Sequence, residues 1–593
     1  MKQFIKKRDG PARLRELHIK NKTVKTPNVF FINTKRFHAP DYAELTISNN
    51  KKNDLIISEY FMYSQSLPKE LQISYQDNNT NKKEDYSIVP GKQNLINKTL
   101  KNNDTSLLII ANSYQLFKHA KKFVDYIVHL KEEAKNQKII YLPSIGDPTN
   151  LALLSYLGAD LFDSTQAIIA ARNNQLFMPH GLSNKYNLEE LPCLCPACKN
   201  YRGKPIDIPF KNILEHNYYM FLNEIKNIRN HINNGKLREL VEKQVKTNPH
   251  LTTILRYLDA KYYDFLEKNT PVTSKNIIFA TSKETFSRPE IKRFQERVIN
   301  RYRKPTSTKV LLLLPCSAKK PYSLSDSHRF FRERITSCSN PFVVHEVIIT
   351  SPIGLVPREL EIVYPASSYD IPVTGIWNED EKKMIIDLLQ MYLKRNKYDE
   401  IIMHLPAEIL DFTKSLLKNS IVTCTGKPTS RESLDNLSKT LKNVTDKFER
   451  IDYKKRRIED VFSLACYQFG EKIAEKLMQN CTIKGRYPYE KIFYGKQQIG
   501  MIVGERGFIS LTLDGGKRIL GVNDYTVEVY DDFQLKGSLF APGILDADPS
   551  IRIGDDVIVT SNKKIIGVGV ALMNGDEMKQ LNNGEAVKIR HHV

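Results

Sequence analysis

The sequence predicts a multidomain α/β plus α+β protein, on three observations. Strands and helices alternate in two separate runs, at about 106–163 and 309–404. A polar, charged stretch at about 427–456 follows the second run. The last part, from about 516, breaks into short alternating strands joined by glycine turns. At 593 residues the chain has room for about three to five domains. With 41% hydrophobic and 26% charged residues it is composed like ordinary globular domains, not a fibrous or disordered chain. No apolar run reaches the roughly 18 residues needed to cross a bilayer. The charged N-terminus has no apolar region behind it, so no secretory signal and no membrane partner are expected, and the predicted location is cytoplasmic. The net charge of +22, from 89 Lys and Arg against 67 Asp and Glu, favours a polyanionic partner, with nucleic acid first.

In chain order, residues 1–245 open with a hairpin. They continue as a strand at 106–112, a helix at 116–136, a strand at 138–142, a helix at 149–158 and a strand at 160–162, which is the rhythm of parallel β/α units. The polar segment 78–85 reads as a loop and 213–247 as charged helices. Residues 246–306 read as a helical connector, with a joint at 305–308. A second α/β domain is expected over 307–430: strands at 309–314, 342–350 and 400–404, helices from about 358 and at 380–395. Residues 431–515 read as a linker helix and a small module with a helix pair, and 516–593 as a β-barrel, with glycine turns at 514–516 and 537–554. No phosphate-binding loop of the Gly-x-x-x-x-Gly-Lys type occurs, so no nucleotide cofactor is expected.

Two constellations carry chemistry. The loop 315–328 follows the apolar run 310–314 and concentrates Cys316, Ser317, Lys319, Lys320, Tyr322, Ser323, Ser325, Asp326, Ser327 and His328. One thiol, two amines, a phenol, four hydroxyls, a carboxylate and an imidazole at the end of a strand suit an active-site loop on the edge of an α/β sheet. Of the eight cysteines, Cys193, Cys195 and Cys198 are clustered and precede His216, which points to one metal site and free thiols instead of a disulfide frame. Three thiolates and one imidazole close a tetrahedral shell and fit structural zinc, with His180 as the other candidate imidazole. His345 and His404 lie in predicted strands and read as core residues.

The Cys-x-Cys-x-x-Cys run with His216 and Asn217 resembles the zinc motif of the tRNA-guanine transglycosylases. The segment 157–164, ending in Asp163 and Ser164, resembles the strand end that carries their nucleophilic Asp, and 145–148, 9–14 and Thr26-Pro27 also resemble that family. The resemblance implies that 1–245 is a reduced (β/α)8-type barrel. Those enzymes also use a carboxylate in an Asp-Ser-Gly-Gly-Phe motif, which is absent here, and 33–73 holds no Gly-Gly pair. Base exchange needs both a nucleophile and a separate acid/base group, so Asp163 is expected to hold a base or a strand end instead.

The loop 315–328 closely resembles the signature of the archaeosine synthases, archaeal paralogues of the transglycosylases, and 351–361 and 364–375 resemble the same family. The resemblance covers essentially the whole chain. It implies an enzyme that adds the side-chain amine of free lysine to the nitrile of 7-cyano-7-deazaguanine, at position 15 in the D-loop of tRNA. The amidine adduct is then cleaved by a radical-SAM lyase partner subunit. For that reaction His328 suits a general acid or base, and Tyr322, Ser323, Ser325 and Ser327 suit hydrogen-bond donors. Asp326 or Glu359 suits an ammonium site, and Arg358 a bidentate carboxylate site. Cys316 suits a covalent thioimide or a packing role. Lys319 and Lys320 suit either lowering its pKa or contacting phosphate.

Residues 516–593 look like a PUA domain, an RNA reader, and about 457–515 like the module that precedes it. Gly537 and Gly543 are then expected to let RNA backbone approach, and Lys588 and Arg590 to meet phosphate. Transglycosylase relatives pair through their zinc regions, so a homodimer is a further expectation. An active transglycosylase and a non-catalytic tRNA-binding subunit remain alternatives. So do ammonia in place of lysine as the donor, and either α/β region as the pocket for the base.

Overall fold

The computed structural model describes residues 2–48, 54–56, 86–101, 105–134, 138–417, 419–521, 525–531, 533, 535 and 537–593. The loop expected at 78–85, and the parts 49–53 and 57–73 of the segment 33–73, lie outside them. The chain forms two compact units, Met1–Thr270 with Gln580–Gly584 and Pro271–Lys579 with Glu585–Val593. The division falls inside the segment 246–306, and helices Pro249–Lys261 and Tyr263–Asn269 belong to the first unit.

The first unit opens with the antiparallel strands Lys2–Asp9, Ala12–Ile19 and Lys22–Thr26. Next comes a seven-stranded sheet in the order Leu55–Ile56, Leu45–Ser48, Asn28–Ile32, Leu161–Asp163, Ile139–Tyr141, Leu107–Ile110 and Tyr86–Val89. Every pairing in it is parallel. Its strands are continuous apolar runs: all four residues of Leu107–Ile110 are buried, as are Val29, Phe30 and Phe31. That is the signature of a parallel sheet covered on both faces. The first and last strands of this sheet in sequence order, Asn28–Ile32 and Leu161–Asp163, pair with each other at its centre, and its edges are Leu55–Ile56 and Tyr86–Val89, which follow one another in the chain. This is a barrel's strand order without closure between Leu55–Ile56 and Tyr86–Val89 among the described residues. Helices Ala120–Glu133 and Phe210–Asn234 each bury one stripe, Phe123, Ile127 and Leu130 on the first and Phe221, Ile225, Ile228 and Ile232 on the second.

The hairpin is fastened to this sheet by a buried ion pair. Arg15 Nε lies 2.8 Å from Asp160 Oδ1, both side chains at most 2% exposed, and Asp160 Oδ2 accepts the Ile140 amide at 3.0 Å.

The second unit holds a five-stranded sheet in the order Gly354–Pro357, Val344–Thr350, Val310–Pro315, Glu400–Met403 and Ile421–Val422. The last four strands run parallel and Gly354–Pro357 is antiparallel. The chain leaves Val310–Pro315 toward one neighbour and returns on its other side, so the strand order reverses at this strand. Open α/β sheets bind ligands beyond the carboxyl ends of strands at such a switch point, and the loop 316–325 begins there.

Three expected elements differ. The helix Arg431–Thr445 is not a linker: Leu434, Leu437, Leu441 and Val444 pack with Val310, Leu312, Leu314 and Phe331 in one core. The helix expected from about 358 is one 3-10 turn, Arg358–Leu360. The glycines at 515 and 516 start no turn. They lie in helix Leu513–Ile519, which Thr512 caps. A Cβ on Gly515 would sit 1.9 Å from the Ile499 carbonyl oxygen, and one on Gly516 would sit 2.5 Å from Ile565 and 2.9 Å from Val568. The helix can pack this closely because it carries no side chain at either position.

Helices Tyr453–Phe469 and Glu471–Met478 lead into the antiparallel meander Cys481–Arg486, Tyr489–Tyr494, Gln497–Val503 and Phe508–Leu511. A six-stranded mixed sheet ends the chain, in the order Leu539–Phe540, Glu585–His592, Lys564–Ala571, Asp556–Ser561, Thr526–Val529 and Ile544–Ala547. Among the described residues no helix is long and apolar enough to cross a membrane.

Asp160→Ala would leave the Arg15 guanidinium buried without its carboxylate. The expected loss is about 3–5 kcal/mol of first-unit stability in denaturant unfolding, and a loss below about 1 kcal/mol would contradict this role for the pair.

Candidate functional site

Sheet geometry brings the loop 316–325 to the carboxyl end of Val310–Pro315. Ser325 caps helix Asp326–Thr336, its Oγ accepting the His328 amide and donating to the Tyr322 carbonyl at 2.8 Å. This folds 316–325 into a tight arch. Cys316 is half-buried on it. Burial raises its thiol pKa, with Thr350 and the Lys320 ammonium acting in the opposite sense. Lys320 Nζ lies 4.0 Å from the centre of the Tyr369 ring, and burial lowers its pKa. The Tyr322 and Tyr369 hydroxyls are 2.8 Å apart, and Tyr369 also bonds to Thr350 Oγ1. Both phenols are buried and held protonated. Thiol, amine and a chain of three hydroxyls thus surround one spot beyond the strand end. Thr350 bears no sequence signal of its own, and Tyr369 only its place in the segment 364–375. They reach the site because strand Val344–Thr350 and the short strand Tyr369–Asp370 end beside it.

Other expected participants are placed elsewhere. Ser317 bonds to the Lys319 carbonyl. Asp326 is exposed and pairs with Arg329 at 3.2 Å. Ser323 is fixed through its amide, 2.9 Å from Glu361 Oε2, and Ser327 lies 3.3 Å from Ser325 Oγ. His328 is 1% exposed. Its Nε2–H donates to the Pro315 carbonyl at 3.0 Å and its Nδ1 accepts from Arg358 Nη2 at 2.7 Å. Burial, and then the Arg358 charge, push its pKa down to about 3. With both nitrogens engaged and the neutral form fixed, His328 positions the loop and has no lone pair free for a proton at neutral pH.

Arg358 is similarly committed. Its Nε and Nη2 meet Glu346 Oε2 at 3.0 and 2.5 Å, and its Nη1 meets Glu361 Oε2 at 2.8 Å. It is a largely buried structural cation without a free fork for a ligand carboxylate. Glu346 and Glu361, which sequence reasoning did not single out, saturate it. Glu359 is buried one residue away, its Oε1 accepting from the Tyr302 hydroxyl and lying 3.3 Å from His345 Nε2. His345 and His404 are satisfied core residues, His345 through Tyr302 and Tyr398 and His404 through Thr423 and the Pro428 carbonyl.

In the first unit, Asp163 ends its parallel strand. Its carboxylate accepts the Tyr141 hydroxyl at 2.7 Å and the Ser144 and Thr165 amides at 2.9 Å each, and burial raises its pKa. Those bonds hold the strand end and its turns together. The ligand atoms of Cys193, Cys195, Cys198 and His216 lie within 4.8 Å of one another, a set able to hold a metal ion. His216 Nε2–H donates to the Phe177 carbonyl at 2.8 Å, which leaves the Nδ1 lone pair facing the three sulfurs. His216, not His180, joins the cluster because it lies on the buried stripe of helix Phe210–Asn234.

In the terminal sheet Lys588 is exposed. Arg590 bonds to Ser510 and lies 3.4 Å from Asp556. Gly543 is buried, and a Cβ there would meet the Phe533 ring at 2.5 Å, so this glycine serves internal packing. Gly537 alone of the two has open space beside it, with φ at +80°.

Residues 88–250 match the family model described as Queuine tRNA-ribosyltransferase. Residues 291–441 match a domain of unknown function (DUF5591). Residues 459–525 match the patch-forming domain C2 of tRNA-guanine transglycosylase, and 531–593 match the PUA domain. The chain is 36% identical over 505 residues to the archaeosine synthase subunit alpha of Methanosarcina acetivorans, covering 82% of this chain and 80% of that one. It is 36% identical over 494 residues to the archaeosine synthase of Haloferax volcanii, covering 82% of each. To the tRNA-guanine(15) transglycosylase of Methanobrevibacter smithii it is 29% identical, over 80% of this chain and 69% of that one.

The His328 pKa is lowered in the folded chain, to about 3, from about 6.5 in the unfolded one. The unfolded state therefore binds more protons between those values. The contribution is fully present above pH 6.5 and is lost as pH falls toward 3. In urea unfolding at pH 7 and pH 5, His328→Gln should lose less stability on acidification than the parent chain. Equal losses would mean that the imidazole is not held neutral.

Proposed function

The chain belongs to the archaeosine synthase family, and from that premise we propose that it attaches the side-chain amine of free lysine to the nitrile of 7-cyano-7-deazaguanine in tRNA. The coarser role, in archaeosine biosynthesis on tRNA, follows from its relatives. The observation that carries the finer one is the group of Cys316, Lys320, Tyr322, Tyr369 and Thr350 at the switch point of the middle sheet.

In this reading a C–N bond forms between amine and nitrile carbon and one π bond of the nitrile opens. The amine loses a proton and the nitrile nitrogen gains one, giving an amidine with no leaving group and no nucleotide consumed. Lys320, whose burial favours the neutral amine, takes the proton. The Tyr322–Tyr369–Thr350 chain, kept protonated, supplies one to the nitrile nitrogen. Direct addition is favoured over a thioimide because burial keeps the Cys316 thiol protonated. His328 and Arg358 fix the loop. The C-terminal PUA sheet, with Lys588 exposed on it, holds the RNA, and Asp163 holds the strand end in the barrel unit. A radical-SAM partner subunit takes the adduct onward.

The Cys193, Cys195, Cys198 and His216 set fits structural zinc: three soft sulfurs and one lone pair, with no further protein ligand among the described residues. Zinc there ties the loop 193–198 to helix Phe210–Asn234 and takes no part in the reaction.

Nitrile-bearing tRNA incubated with the protein and lysine should yield the lysine adduct by nucleoside mass spectrometry, without incorporation of labelled guanine. Lys320→Met should slow adduct formation by about 100-fold or more, and Cys316→Ser by less than about tenfold. Exchange of guanine without adduct would favour a transglycosylase, and unchanged tRNA a binding subunit. By elemental analysis, Cys198→Ser should remove about one equivalent of zinc per chain, and metal content equal to the parent's would refute the assigned shell.

A further inference from the structure

The second unit encloses a cavity of about 330 Å³ apart from the reactive spot. Strand Val344–Thr350 and the turn Arg358–Leu360 line it on one side, helix Tyr453–Phe469 and strand Tyr489–Tyr494 on the other. It has the size of a small-ligand site and is lined by both signs of charge. Most of those charges neutralise each other. Arg358 is taken by Glu346 and Glu361, Arg456 and Arg457 by Asp460, and Arg457 by Glu490 as well.

Two groups are not taken. Glu359 is 8% exposed, and its Oε2 has no hydrogen-bond partner, although its Oε1 is engaged by Tyr302 and His345. A buried carboxylate oxygen in that condition is costly unless a cation meets it. Arg332 is exposed and lines the same cavity, and its guanidinium makes no hydrogen bond or ion pair among the described residues. The site therefore offers one carboxylate oxygen without a hydrogen bond inside, on a carboxyl held ionised, and one guanidinium without an ion pair in contact with solvent.

The lining contains five carboxylates and four guanidiniums, an excess of one negative charge. A phosphate or an RNA strand would need several free guanidiniums, and three of the four are occupied. A small ligand with one carboxylate and a net positive charge matches both the excess and the two unmatched groups. Ile335 and Phe342 add apolar lining against which a methylene stem can lie. The cavity is also coupled to the reactive loop. Glu361 accepts the Tyr487 hydroxyl at 3.1 Å on the cavity side through Oε1, and the Ser323 amide at 2.9 Å on the loop side through Oε2.

We infer that this cavity binds a free cationic amino acid, with Arg332 taking its carboxylate and Glu359 Oε2 an ammonium group. It is then the store for the amine donor, an identification that rests on the reaction proposed above. Equilibrium dialysis of labelled lysine against the full chain, without tRNA, tests it. Saturable binding is expected, weakened at least about tenfold by Arg332→Met and by Glu359→Gln. Norleucine, which lacks the side-chain ammonium, and cadaverine, which lacks the carboxylate, should each bind at least about tenfold more weakly than lysine. Arg332 is at the surface, so its variant keeps the test valid if Glu359→Gln fails to fold. Arg332→Met should also raise the KM for lysine in adduct formation and leave kcat within about twofold. Absent binding, or binding and KM unchanged in Arg332→Met, overturns the inference even if adduct still forms. Lysine held in this cavity without any adduct on nitrile-bearing tRNA supports the site and sinks the reaction.

Discussion

The second unit depends on one largely buried cation. The Arg358 guanidinium joins Glu346 on a sheet strand, Glu361 at the end of its own turn, and His328 on the helix that follows the reactive loop. A guanidinium out of water is tolerable only when its donors are matched, and here two carboxylates and one imidazole nitrogen match them. His328 in turn holds the Pro315 carbonyl, where the strand gives way to the loop. The position of Cys316 and Lys320 is thus set by electrostatics beneath them and by the hydroxyl chain beside them. Flexible side chains above the sheet need little further support.

Much of this was legible in the sequence. Apolar runs alternating with amphipathic stretches give the parallel sheet of the first unit and the four parallel strands of the second, because a strand buried on both faces has to be apolar throughout. The gathering of Cys193, Cys195, Cys198 and His216 was legible from spacing, since a Cys-x-Cys-x-x-Cys turn brings its sulfurs together. The loop 315–328 stood out in the sequence by its density of chemical groups. Roles within it were less legible. His328 and Arg358 look like a base and a ligand clamp when their neighbours are unknown. Burial and the acids at 346 and 361, brought in by strand pairing and a 3-10 turn, make them supports instead.

The misread elements have similar causes. Residues 427–456 look polar by composition, yet Leu434, Leu437 and Leu441 recur at helical spacing and seal one face of the sheet. Average polarity hid a stripe. The Asp514-Gly-Gly segment looks like a turn because glycine usually marks one, but the absence of a side chain serves close packing there, a constraint visible only in three dimensions. Gly543 follows the same rule beneath Phe533.

That helix at 513–519 also has a mechanical meaning. One of its glycines sits against the backbone of the meander and the next against two branched side chains of the terminal sheet. With no slack on either side, it works as a keystone: the two small sheets cannot pivot independently, and whatever the last one grips is presented at a fixed angle to its neighbour.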